Sequence, residues 1–172
     1  MHKKLEEIIT KTKTDLVKRK QQVPLSILME TVDRQKGRPF ARAIRNPKKG
    51  SIALIAEIKL ASPSERSLGT IEDIQTKVKE YEQAGVDCVS VVTEKHFFHG
   101  DPVFVAQIKD FTPLPVLEKD FIVDEYQLYE AAKSGADAVL LIAKLLPKEK
   151  LLLFVKLAKM LNIEPVVEIN DE

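Results

Sequence analysis

Cysteine, net charge and long apolar runs are all scarce in this sequence. Cys88 is the only cysteine in 172 residues, so no disulfide can form within the chain. It lies in the apolar run VDCVSVV and reads as inert core packing rather than a nucleophile. No apolar run approaches the ~20 residues needed to cross a membrane. The N-terminal MHKKLEEIITKTKTDL alternates charge with apolar residues and lacks the apolar core of a secretory leader, so a cytoplasmic protein is expected. Lys+Arg is 27 and Asp+Glu 26, a net charge of +1, which argues against a general nucleic-acid binder and makes any anion site local. The N-terminus is locally basic (Lys3, Lys4, Lys11, Lys13, Lys18, Arg19, Lys20), but Glu6, Glu7 and Asp15 interleave, so a solvated helix face is expected there. No glycine-rich dinucleotide fingerprint or Walker loop occurs, and no cofactor is implied. His96 and His99 have H-x-x-H spacing, but zinc needs three or four ligands and Cys88 lies away from them, so no metal is expected.

What remains is ordinary globular material: 44% hydrophobic and 31% charged, enough for one domain with a substantial core. Leu5, Ile8, Ile9, Leu16 and Val17 recur at helical spacing and predict an amphipathic helix over roughly the first 20 residues. Pro24 opens a second helical stretch, PLSILMETV. Arg34 to Gly50 reads as basic and irregular, broken by Gly37, Pro39, Pro47 and Gly50. Residues 1–50 are therefore expected to form a helical extension ahead of the main fold at 51–172.

From Ile52 a strand–helix rhythm repeats. Strands are predicted at Ile52–Ile58, Val86–Thr93, Pro115–Lys119, Ala136–Ala143 and Pro165–Ile169. Helices are predicted at Ile71–Ala84, stopped by Gly85; from an Asp101 cap with Pro102 toward Phe111; from an Asp124 cap through Ser134, stopped by Gly135; and from Pro147 to about Leu161. Such alternation implies βαβ units and a parallel sheet, of the α/β class.

The chemistry gathers at strand ends. Ile52 to Ala56 reads as a buried apolar strand, followed by Glu57 and Lys59, two apart and so on one face. PVLEKDF ends in Glu118, Lys119 and Asp120, and PVVEIND carries Glu168. One such acid–base pair is as well explained by a structural ion pair. Repetition over three strands points to a site assembled at one face of a parallel sheet.

IAEIKLASPSERSLG resembles the first-strand signature of indole-3-glycerol phosphate synthase, the ring-closing decarboxylase of tryptophan biosynthesis. The likeness continues through VSVVTEKHFFHGDP, PVLEKDFIVDEYQLYEAAKSGADAVLLIA and EPVVEINDE, covering nearly all of Ile52 to Glu172. The resemblance implies a (β/α)8 TIM barrel with an N-terminal helical extension, of which about the first five β/α units are here. The family's Asn-Arg motif of strand six, Glu-Ser-Gly of strand seven and Gly-Ser loop of strand eight are absent, so this chain alone is expected to be inactive. Leu60 and Glu65 stand where the family usually has basic residues.

The resemblance implies roles residue by residue. Lys119 matches the general acid on the carbonyl, and Lys59 the contact to the anthranilate carboxylate. Glu168 matches the proton acceptor or donor of dehydration, and Glu57 the glutamate that orients substrate and lysines. Ser62 matches a phosphate ligand, Phe98 and Phe121 the aromatics flanking the substrate ring, and Leu140 an apolar wall. By themselves the aromatics read as core and the Ser62-Pro63-Ser64 turn as a plain loop. Lys144 is a further candidate cation near the mouth. A phosphorylated small molecule is the expected partner. Two alternatives stay open: another sugar-phosphate barrel enzyme of the same pathway, and a catalytically silent barrel fragment that self-associates through open sheet edges.

Overall fold

Two glycines set the rhythm of the fold. Gly85 (φ 84°) and Gly135 (φ 80°) adopt the left-handed conformation that ends a helix, and each hands the chain to a strand three residues later. The computed structural model describes residues 3–32, 37–65 and 67–169, with the side chain of Ile71 also outside the description. Arg34, Arg66 and residues 170–172, which entered the sequence reading, lie outside the described residues.

The described elements in order are α1 (Lys3–Gln22), α2 (Leu25–Thr31), α3 (Phe40–Arg45), β1 (Ile55–Ile58), α4 (Ile71–Ala84), β2 (Cys88–Val92), α5 (Lys95–Phe98), α6 (Val103–Phe111), β3 (Val116–Lys119), α7 (Glu125–Ser134), β4 (Ala138–Ile142), a 3₁₀ turn (Ala143–Leu145), α8 (Lys148–Met160) and β5 (Glu164–Glu168). The five strands are parallel and lie in the order β1-β2-β3-β4-β5.

Alternation gives the sheet two faces. Val89, Val91, Val116, Val139 and Leu141 point outward into the main core beneath the helices, with Ile74 and Val78 of α4, Ile108 of α6, Leu128 of α7 and Phe154 of α8. Cys88, Leu117 and Ala138 point inward and meet Phe40 of α3 in a second, smaller cluster. Burial holds the Cys88 thiol at about 12, with Asp87 adding to the effect, as suits a packing residue.

The N-terminal ends of the strands are tied by two aspartates in equivalent places. Asp87, just before β2, accepts from the backbone N–H of Lys48 (2.6 Å) and Leu54 (2.9 Å). Asp137, just before β4, accepts from the N–H of Arg38 (2.6 Å) and Val116 (2.9 Å) and from Lys109 Nζ (2.5 Å). These bonds hold the segment around α3 against the strand starts and leave the C-terminal ends of the strands open.

Four expectations are corrected. The strand predicted from Ile52 begins at Ile55, and Ile52, Leu54 and Ile55 are 75%, 54% and 45% exposed, because β1 is an edge strand with a partner on one side only among the described residues. The stretch read as irregular contains α3, whose six residues are held by burial of Phe40. Val17 faces solvent rather than the core, while Ile8, Thr12 and Leu16 form the buried stripe of α1. The basic face of α1 is not all solvated: Arg19 pairs with Glu130 on α7 (2.7 Å) and Lys20 with Asp124 (2.8 Å).

Candidate active site

Register stacks the inward residues at the C-terminal ends of the strands. Glu57 is level with Ser90, and Ser90 with Leu117; Val92 is level with Lys119; Leu140 with Val166; and Ile142 with Glu168. Lys59 follows β1 on the face of Glu57. Three of the predicted groups meet directly. Lys119 Nζ donates to Glu57 Oε2 at 2.5 Å, and Lys59 Nζ lies 3.3 Å from Glu57 Oε1. One carboxylate thus holds two ammonium groups, one from the end of β3 and one from the residue that follows its own strand. Burial opposes ionisation of Glu57, but Lys119 and then Lys59 outweigh it and hold the carboxyl below the usual carboxylate range.

Glu168 sits half-buried on the inward face at the end of β5. Phe98, the last residue of α5, lies with its ring centroid 6.2 Å from that of Phe121, tilted by 39°, an attractive geometry for two aromatics. Leu140 is buried on β4. Ser62 opens a tight turn closed by reciprocal backbone bonds with Glu65 (2.7 and 3.0 Å), and its hydroxyl accepts from Glu65 N–H and shares a 3.1 Å bond with Ser64. Lys144 is exposed in the turn after β4.

Glu118 and Asp120 do not join the cluster, which corrects their reading as part of a strand-end triplet. Neighbouring residues on a strand point to opposite faces, so with Lys119 inward Glu118 turns outward, where Ser134 Oγ of α7 donates to it at 3.0 Å. Burial, reinforced by Asp120, pushes Glu118 up to about 8. Burial likewise raises Asp120, against the opposing bonds from Phe121 N–H and Thr93. These acids belong with Glu130, raised to about 7 by burial despite Arg19. A cavity of ≈ 550 Å³ beneath α1 is lined by Asp120 and Glu130 with Asp15, Arg19, Glu94 and His96, and by none of Glu57, Lys59, Lys119 or Glu168. His96 is committed to Asp15 at 2.5 Å.

Three residues of consequence escape the sequence reading. Glu94 is buried, and its carboxylate accepts from the backbone N–H groups of His96, Phe97 and Phe98, which shapes the turn carrying Phe98. Gly100 closes that turn so tightly that a Cβ there would meet Val92 O at 2.4 Å. The signal lies in TEKHFFHG: an acidic residue just before a helical turn is an N-cap, and glycine ends it. The third is Ser90, a polar interruption of the apolar VSVV.

The family profile of indole-3-glycerol phosphate synthase matches residues 5–172. The chain belongs to the indole-3-glycerol phosphate synthase family. Relatives bearing that name are 40% identical in Campylobacter hominis and 41% identical in Caldanaerobacter subterraneus subsp. tengcongensis, each over 98% of this chain. The chain spans 65% and 64% of the length of those two relatives. The family is a TIM barrel, and the five-stranded parallel sheet with alternating helices is a part of one. Two solved structures share the fold alone. MenC from Desulfotalea psychrophila LSv54 matches with TM-score 0.52 and 12% identity over 77% of this chain and 35% of its own. Methylornithine synthase (PylB) matches with TM-score 0.52 and 15% identity over 84% and 55%. Among the described residues no helix is long and apolar enough to cross a membrane, and no cluster of three His, Cys, Asp or Glu is placed to hold a metal.

Proposed function

We propose that this chain carries five-eighths of an indole-3-glycerol phosphate synthase barrel, a cytoplasmic carboxy-lyase acting on 1-(2-carboxyphenylamino)-1-deoxyribulose 5-phosphate. The reaction joins the aromatic ring to the ketone carbon and expels carbon dioxide and water. The observation that carries this reading is the Glu57 carboxylate holding both Lys59 and Lys119 at the C-terminal ends of the strands of a family member.

Each step needs a group that this site supplies. Lys119 protonates the ketone oxygen as the ring carbon attacks, in a setting made apolar by Leu117 and Leu140. Lys59 holds the carboxylate until it departs as carbon dioxide. Glu168 serves the dehydration, taking and giving the proton as the hydroxyl leaves. Glu57 stays ionised and orients the two lysines. Phe98 and Phe121 flank the aromatic ring, with Leu140 as a wall, and the Ser62 turn meets the phosphate. The phosphate motifs of the longer relatives complete that last subsite.

The test is turnover, followed by the fluorescence of the indole product. The substrate is offered to this chain and to one extended to about 250 residues. Turnover is expected in the longer chain only, and Lys119→Ala should abolish it. Full activity from 172 residues, or an active Lys119→Ala variant, would sink the site assignment.

A further inference from the structure

Among the described residues, Ser90 Oγ is the only buried hydroxyl oxygen without a hydrogen-bond partner. Ser90 is 4% exposed, in the middle of the fully buried β2. A buried hydroxyl left unpaired destabilises the arrangement that contains it, so an arrangement that pairs it is favoured by the bond gained.

The register identifies the partner. Ser90 is level with Glu57 on β1 and with Leu117 on β3, while Val92 is level with Lys119. Val89 and Val91 point outward into the helix-covered core, so Ser90 faces inward. β2 lies between β1 and β3, hence the Glu57–Lys119 ion pair crosses over β2, and Ser90 lies at the foot of that crossing. Directly opposed residues on adjacent strands have Cβ atoms about 5 Å apart, within the reach of a rotating hydroxyl and a bending glutamate.

In the arrangement seen, both oxygens of Glu57 are occupied: Oε1 by Lys59 and Oε2 by Lys119. When the Lys119 ammonium swings toward a substrate carbonyl, its 2.5 Å contact with Oε2 lengthens, while Oε1 keeps Lys59. We propose that Ser90 is a positioning residue for Glu57, its hydroxyl donating to Oε2 when Lys119 turns toward substrate. The exchange asks for a rotation of the Ser90 hydroxyl and a bend of the Glu57 side chain, with no change of backbone. It keeps the carboxylate ionised and in place while Lys119 acts. This inference rests on Lys119 as the acid, yet its test uses no turnover.

The test is a double-mutant cycle on the 172-residue chain, read as urea midpoints by circular dichroism. Lys119→Met removes the ammonium and keeps an unbranched side chain; Lys119→Ala serves the same purpose should the methionine variant fail to fold. With Lys119 present, Ser90→Ala is expected to leave the midpoint unchanged or raise it, since an unpaired hydroxyl is lost. In the Lys119→Met background the same change is expected to lower the midpoint, since a hydroxyl bonded to Glu57 is lost. Ser90→Thr, which keeps the hydroxyl, should remove the difference between backgrounds. Equal effects of Ser90→Ala in both backgrounds would overturn the proposal. A failure of turnover in the extended chain would remove the substrate reading and leave this coupling standing, so the two failures are told apart.

Discussion

Lys119 reaches across an intervening strand to Glu57, placing Nζ 2.5 Å from Oε2 although β1 and β3 are not neighbours in the sheet. Their side chains are 41% and 31% exposed, so the pair is screened and contributes little to stability, about 0–1 kcal/mol for pairs of this kind. Glu57→Gln should therefore shift the urea midpoint slightly while lowering turnover of the extended chain about 10²-fold or more. The sign with pH follows from the lowered Glu57 pKa. The pair's contribution is present above the ordinary carboxylate range and is lost as pH falls through the depressed value. Glu57→Gln should remove that part of the acid limb of stability. An unchanged kcat with a large stability loss would make Glu57 structural.

Glu118 has the opposite sign. Its folded value of about 8 lies above the ordinary carboxylate value of 4.5 because burial, with Asp120 beside it, penalises the charged form. A raised acid contributes stability fully below its unfolded pKa, and loses it as pH rises through the folded one. The chain should lose stability between about pH 5 and 8, with Glu130, raised to about 7, adding to the slope. Glu118→Gln still accepts from Ser134 and carries no charge. It should raise the melting temperature at pH 8.5 by about 2–4 °C or more and flatten the profile from pH 5 to 8. Parallel profiles for the two proteins would contradict the buried setting of Glu118.

The part of the fold legible in the sequence is the part set by local chemistry. Helices Ile71–Ala84 and Glu125–Ser134 stand where Gly85, Asp124 and Gly135 put them, because caps and left-handed stops act within a few residues. Helix α3 was not legible, since Phe40 is drawn under Cys88, Leu117 and Ala138 by packing that no local pattern encodes. The exposure of Ile52 and Leu54 depends on which strand is an edge, which is a property of the sheet. At the site, Glu57 and Lys59 were legible because they are two apart. Glu118 and Asp120 were misread because they flank Lys119 by one, and alternation sends them to the helices. Ser90 was hidden by its apolar neighbours.

Glu94 offers a test of how Phe98 is placed. Its buried carboxylate accepts from three backbone N–H groups of α5. Glu94→Ala leaves those donors unpaired and should cost about 1–3 kcal/mol. Glu94→Gln keeps one acceptor oxygen and should restore part of it. In the extended chain the alanine variant should also raise KM, because Phe98 no longer meets Phe121 at 6.2 Å to flank the ring. A destabilised variant with unchanged KM would show that the α5 turn is not part of the substrate site.

The sheet's two ends set the last expectation. β1 and β5 each pair on one side only among the described residues, and apolar side chains cluster at both: Ile52 and Leu54 are 75% and 54% exposed beside β1, Val167 and Ile169 38% and 72% at β5. Unpaired edges with apolar neighbours are templates for pairing with another chain. A stable interface buries about 800 Å² on each partner, and the exposed apolar residues at both ends are the surface that pairing would cover. The 172-residue chain should therefore sediment above its monomer mass, increasingly so with concentration. Leu54→Lys together with Val167→Lys places charge on both ends and should return it to a monomer, as charged edges do in natural sheets. Sedimentation as a monodisperse monomer with a sharp unfolding transition would mean that the edges are satisfied within one chain.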